Sequence, residues 1–297
     1  MDTQLLTAFI AAAQYRSFSK TAEILGITQS AVSKRIALLE KSVDSLLFDR
    51  INRSVELTEA GKDLLPRAKQ VIQALEDTQQ FMHDRGGLVS GQLRIATSHH
   101  IGIHRLPESL RRFTNLYPHV HLQLHFVDSE QAIEAILHGD YDLALMTLSD
   151  DILADKNEWI QSHNLWDDPM FFVSNHEHPL SSHEQITLEQ LAAYPAILPD
   201  ANTQTAQLVK RLFNDVDKAL DVAMSTNHLD AIKMMISVGL GWSVLPQTLI
   251  TEQLHRLPLA LQADRPSLVR QLGCIYHRER TLSNAARAMI KLLRNNT

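Results

Sequence analysis

The chain has 297 residues, with 28 lysines and arginines against 34 aspartates and glutamates and a formal net charge of −6. That length gives room for two domains or more, and the absence of a cationic-plus-apolar leader or a long apolar run argues against a secreted or membrane protein, so a soluble, cytoplasmic protein is expected. The single cysteine, Cys274, excludes an internal disulfide and a paired-cysteine redox switch, and within LGCIY it reads as an inert buried thiol in a strand.

An amphipathic helix is expected from Gln4 to about Tyr15. From Ser17 to Leu57 the chain reads as two short amphipathic helices around a tight turn, then a longer helix and a basic hairpin. Phe18, Ala22, Leu25, Ile27, Val32, Ile36 and Leu39 recur at three- and four-residue steps, which turns them toward a shared core. Ser19 suits an N-cap, Gly26 suits a left-handed stop, and Thr28 can cap the next helix. So short a connection forces the two helices to cross steeply, as in a helix-turn-helix. With Thr28 at its start, the second helix offers Gln29, Ser30, Ser33, Lys34 and Arg35 outward, side chains able to meet base edges and phosphates in a major groove. Leu46 to Leu57 reads as strand, basic turn, strand, with Arg50 and Arg53 at the bend for the sugar-phosphate backbone. Residues 1 to 85 hold eleven basic against eleven acidic side chains, so the whole net charge belongs to the remainder. A near-neutral reader is expected to hold DNA weakly alone and to depend on paired copies.

The run from Phe9 to Gly61 carries S-F-S-x-x-A-x-x-L, Q-S-A-V-S-K-x-I, L-E, L-F-x-R and L-T-E-A-G. It resembles the N-terminal domain of LysR-type transcriptional regulators. Two departures stand out: Asp44 where the family usually has glycine, and Arg16 where it usually has a small residue. Aspartate tolerates a left-handed backbone, so the turn is expected to survive.

From Thr58 to about Asp84 nothing interrupts a helix except Pro66 near its start. Leu64, Ala68, Val71, Leu75, Thr78 and Met82 follow spacings of four, three, four, three and four, which predicts a seam for another helix. The resemblance implies antiparallel pairing of two such helices in a homodimer or homotetramer. Arg85-Gly86-Gly87 and Ser90-Gly91 then read as a hinge.

After Gly91 strands alternate with helices: LRIAT, HLQLHFV and DLALMTL in a first set, FFVSN, PAILP, DVAMST and GWSVLP in a second, then RQLGCIYH and a closing helix. Alternation of this kind predicts parallel α/β architecture. The expected organisation is therefore a winged helix-turn-helix over 1–60, a linker and dimerisation helix over 58–85, a hinge at 86–91, and an effector-binding domain over 92–297. The resemblance implies that this last part is periplasmic-binding-protein-like, with lobe I over about 92–164 and 267–297 and lobe II over about 165–266. Ligands in open α/β sheets bind beyond the carboxyl ends of strands. That rule selects Thr97, Ser98, His99 and His100 after the first strand, Thr147 at the crossover, and Asn202, Thr203 and Thr226 on the facing lobe. Such polar positions favour a small anion, such as a carboxylate or sulfonate, as effector.

Double-stranded promoter DNA and a small molecule are thus the expected partners, with RNA polymerase a further one; no cofactor, metal or catalytic residue is expected. Of fifteen histidines, His99, His100 and His104 lie close together and His119, His121 and His125 flank a strand on one face, which reads as surface histidines at a strand edge rather than as a metal site. The alternative, a solute-binding or enzymatic module with an accessory DNA-binding domain, lacks a P-loop, a G-x-S-x-G elbow and a dinucleotide glycine pattern.

Overall fold

The structure, a computed structural model, describes residues 2–49, 55–84, 87–150, 158–214, 220–259 and 268–295. Helices α1 (Thr3–Tyr15), α2 (Phe18–Leu25) and α3 (Gln29–Val43) are followed by the short antiparallel pair β1 (Phe48–Asp49) and β2 (Glu56–Leu57). Phe9, Val32, Ile36, Leu39 and Leu47 are buried among them, and the Phe48 ring lies 5.5 Å from Phe9 and 5.7 Å from Phe18. The expected short second helix and longer third helix are one. Nothing between Gln29 and Val43 breaks helical hydrogen bonding, and the helix stops only at left-handed Asp44, φ 52°. Arg16 is left-handed too, φ 49°, and ends α1. The cap of α2 is Ser17, which accepts from the Lys20 N–H, and not the expected Ser19, which lies inside the first turn. Gly26 turns the chain at φ 63° and Thr28 accepts from the Ala31 N–H to start α3.

The linker helix α4 (Glu59–Asp84) begins at Thr58, whose hydroxyl accepts from the Gly61 N–H at 3.0 Å. Its first half does not form the expected seam. Ala68 is 1 % exposed and, with Leu64, packs against the core that α1 and α3 build. Apolar residues at three- and four-residue spacing serve a domain core as well as a partner helix, and here the nearer surface takes them.

The rest of the chain forms two α/β lobes. Lobe I comprises β3 (Gly91–Thr97), α5 (His99–His104), α6 (Pro107–Leu116), β4 (Val120–Phe126), α7 (Ser129–Leu137) and β5 (Leu143–Leu148). The long strand β6 (Ile160–Ser174) leads into lobe II, with α8 (Leu188–Ala192), β7 (Ala196–Leu198), α9 (Gln204–Asn214), β8 (Val222–Ser225), α10 (Leu229–Ser237), β9 (Ser243–Pro246) and β10 (His255–Arg256). The chain returns through β11 (Val269–His277) to α11 (Asn284–Arg294). β3 runs parallel to both β4 and β5, and β11 lies antiparallel between β5 and β6. β6 pairs with β11 as far as Pro169 and with β9 from Met170 onward, so a lobe boundary drawn at 164 falls inside one continuous strand.

Each lobe has its own core. In lobe II Trp242 is fully buried, stacks on Phe213 at 5.7 Å and donates its indole N–H to the Leu191 and Tyr194 carbonyls. In lobe I Leu93, Ile95, Leu145 and Leu272 pack beneath α11 with Cys274. Burial pushes the Cys274 thiol up to about 12, so the thiolate is suppressed.

Candidate functional site

The helix-turn-helix leaves the start of α3 facing solvent. Thr28, Gln29, Ser30 and Lys34 are exposed and Ser33 is half-buried on the same side. Thr28 is partly committed as the cap, with its hydroxyl 2.9 Å from that of Ser30. Arg35 is the exception: half-buried, it donates to the Gln4 side-chain carbonyl oxygen at 2.8 Å, which ties α3 to α1. Arg50 and Arg53 lie outside the described residues; β1 and β2 on either side pair as a hairpin, Phe48 opposite Leu57.

On α4, Val71, Leu75 and Met82 are 51 %, 42 % and 56 % exposed, an apolar stripe beyond the part that enters the core. Another side of the same helix docks on lobe I of its own chain. Arg280 donates to both carboxylate oxygens of Asp77 at 2.9 and 3.0 Å, Arg94 bridges Gln73 and Asp142, and Lys69 reaches Asp140 at 2.7 Å. All these side chains are at least partly shielded from water, which makes charge-assisted hydrogen bonds of this kind worth about 1.5–3 kcal/mol each at best.

Between the lobes lies a cavity of about 500 Å³. Ser98, His99, His100 and Thr147 line it from lobe I, Asn202 and Thr203 from lobe II. Two expected positions do not. Thr97 is fully buried, its methyl group turned under α5, where Gly102 permits the helix to approach; a Cβ there would stand 3.1 Å from the Thr97 methyl and closer still to Phe126. Thr226 instead accepts from the His228 N–H, and its neighbours Asn227 and His228 reach the cavity. Thr203 spends its hydroxyl capping α9, donating to the Asp200 carbonyl and accepting from the Ala206 N–H.

The floor of the cavity holds a network that sequence reading missed. Asp168 on β6 has no exposed surface and accepts from Arg105 at 3.1 Å and from the Arg270 Nε at 3.2 Å. Arg270, 6 % exposed on β11, also donates to the Thr205 hydroxyl of lobe II at 3.0 Å. Burial alone would push the Asp168 carboxyl up, but His100 and Arg270 outweigh it and hold the group well below the usual carboxylate range. His100 is pulled below the usual imidazole range, first by burial and then by the Arg270 charge, with Asp168 opposing. Asp167-Asp168-Pro169 reads locally as a turn and Arg270 lies 102 residues away, so no local signal joins them.

The lobes also touch at the cleft mouth. Asn227 donates to Asp128 at 3.3 Å, Arg211 meets Asp150 at 3.2 Å, and the His99 and His228 rings stand edge to face at 5.0 Å. Among the described residues, no group of three or more His, Cys, Asp or Glu side chains converges as a metal site, and His121 and His125 are exposed on β4. No described helix is long and apolar enough to cross a membrane.

Comparison with known proteins agrees with this geometry. Residues 3–62 match the family model described as a bacterial regulatory helix-turn-helix protein of the lysR family, and residues 86–297 match the LysR substrate binding domain. The chain is 31 % identical over 279 residues to the uncharacterized HTH-type transcriptional regulator YeiE of Escherichia coli K12, covering 92 % of this chain and 90 % of that one. Solved structures share its fold. A full-length OxyR variant from Pseudomonas aeruginosa aligns with a TM-score of 0.74 at 17 % identity, over 99 % of this chain and 98 % of that one. Full-length CbnR complexed with its target DNA aligns at 0.70 and 18 % identity, over 100 % of both chains. The regulatory domain of Synechocystis PCC6803 CcmR in complex with 2-PG aligns at 0.61 and 22 % identity, over 70 % of this chain and 98 % of that one. With a DNA-reading helix-turn-helix, a linker helix and a two-lobed effector-binding domain, the chain belongs to the LysR family of transcriptional regulators.

Proposed function

We propose that this regulator reads promoter DNA in the cytoplasm as a homodimer or homotetramer, and that a small anionic effector in the interlobe cleft controls it without catalysis or a further cofactor. The observation that carries the reading is the cleft itself: about 500 Å³, bounded by both lobes, with Arg270 and His100 buried at its floor. The CcmR domain holds 2-PG within the same fold, which supports a small-molecule effector here. The CbnR complex supports DNA as the partner of the N-terminal domain. Gln29, Ser30 and Ser33 then face base edges, and Lys34 faces phosphate. Val71, Leu75 and Met82 supply the apolar stripe for a second copy's α4, which sets the separation of DNA half-sites.

Control requires that the effector bind two arrangements of the lobes unequally; a shift from 1:99 to 99:1 needs about 5.5 kcal/mol of differential affinity. Rearranged lobes change the angle between DNA-binding pairs, and contact with RNA polymerase follows from that. An enzymatic reading gains nothing from the floor: the Asp168 carboxylate, which would have to orient His100 as a base, is already held by Arg105 and Arg270. Footprinting on the promoters flanking its own gene tests the proposal, with and without small anions. Protection that shifts when an anion is bound is the expected result, and no protection under any condition rejects it.

A further inference from the structure

One group at the cleft floor is left out of the ion-pair network. The His100 side chain is 6 % exposed, lines the cavity, and has no hydrogen-bond partner at either ring nitrogen. Its Nε2 stands 3.6 Å from the Asp168 carboxylate, beyond hydrogen-bond distance. A buried polar group left unsatisfied costs free energy that a partner recovers. The charged and titratable groups facing it are Asp168 from β6, Arg270 from β11, and His104 and Arg105 from its own helix and the turn that ends it. Two guanidinium groups against one carboxylate leave the floor positive. Arg270 uses three N–H donors on Asp168 and Thr205, and two remain.

We infer that the effector's acidic head is a single oxyanion seated against His100 and Arg270, and that seating it there takes up one proton at the His100 ring. This rests on the cleft being the effector site, as proposed above. Burial first, and then the Arg270 charge, pull the imidazole below its usual range, with Asp168 opposing them. An oxyanion beside the ring reverses that balance: the proton comes from solvent, both nitrogens become donors, and the imidazolium lies between two anions, the bound head and Asp168. Carboxylate, sulfonate and sulfate share this chemistry, and a neutral ligand of equal size does not.

Titration calorimetry of the full chain with acetate, methanesulfonate and sulfate tests the inference, since these probes keep constant charge between about pH 6 and about pH 8. Measuring each in two buffers of different ionisation heat counts the protons taken up. The expected result is binding by at least one probe that tightens toward acid, by at most about tenfold per pH unit, with a matching proton uptake. His100→Gln keeps a hydrogen-bonding side chain without a titrating ring and is expected to bind with no pH slope. Binding of a probe to the wild-type chain without proton uptake overturns the inference and leaves the cleft reading standing, and this arm does not depend on the variant folding. The same slope in a folded His100→Gln overturns it as well. No binding by any probe removes the anion-binding cleft and the inference together.

Discussion

The proposed DNA-reading face and the proposed effector cleft are built on opposite plans. The first is the start of one helix, α3, with side chains from its cap Thr28 to Lys34 held up by a core directly beneath them. The second is assembled from β6, β11, α5 and α9, and its buried Asp168 and Arg270 are already paired with each other. A reader can thus lose a side chain and keep its fold, whereas the cleft floor is a structural joint that the proposed effector would also have to use.

The largest expected effect sets this contrast to its hardest test. Asp168→Ala leaves Arg105 and Arg270 without their carboxylate, and a loss of about 3–5 kcal/mol in urea unfolding is expected. The sign with pH follows from the depressed Asp168 group. Its contribution is present above the ordinary carboxylate range and is lost as pH falls below it, so the wild-type chain is expected to lose stability into acid more steeply than the variant. Next comes the linker helix: Ala68→Leu overpacks the DNA-binding core and is expected to cost about 1–3 kcal/mol. Val71→Asp is expected to leave that stability alone and weaken self-association in sedimentation experiments. Equal effects of the two changes on association would restore one continuous seam.

At the reader, Ser33→Ala and Gln29→Ala are each expected to lose about 1–3 kcal/mol of discrimination at particular base pairs in gel-shift competition, with thermal stability unchanged. Lys34→Ala is expected to weaken all sequences alike and to reduce the salt slope by about one. Arg53→Ala shares the expectation of uniform weakening. The smallest effect belongs to the cleft mouth. Asn227→Ala removes one hydrogen bond between the lobes, and a change of about 0.5–1.5 kcal/mol in the balance between open and closed lobes is expected, read by small-angle scattering.

The two plans also explain what was legible in the sequence. Helix caps, a left-handed glycine and apolar spacing act within a few residues, so Gly26, Thr28 and the outward face of α3 are readable one turn at a time. Ser17 in place of Ser19 is an error of the same range, because either hydroxyl satisfies the local rule. Leu64 and Ala68 of the linker helix were misplaced for a different reason: spacing fixes which side is apolar and not which surface it meets. In the cleft, strand ends located Ser98, His100, Thr147 and Thr203, but Thr97 faces the other side of its strand, as alternation along β3 requires. Asp168 and Arg270 were illegible because their meaning exists only once β6 and β11 lie side by side.

The docking of α4 on lobe I makes the two lobes mechanically unequal. Arg280, Arg94 and Lys69 fasten one lobe to the rod that carries the DNA reader, while the other lobe hangs from β6 and β11 alone among the described strands. Lobe I is then expected to stay with the linker helix, and lobe II to move against it. Because these charge pairs keep part of their surface in solvent, concentrated salt is expected to weaken the fastening in part, and the same effector to turn the reader less.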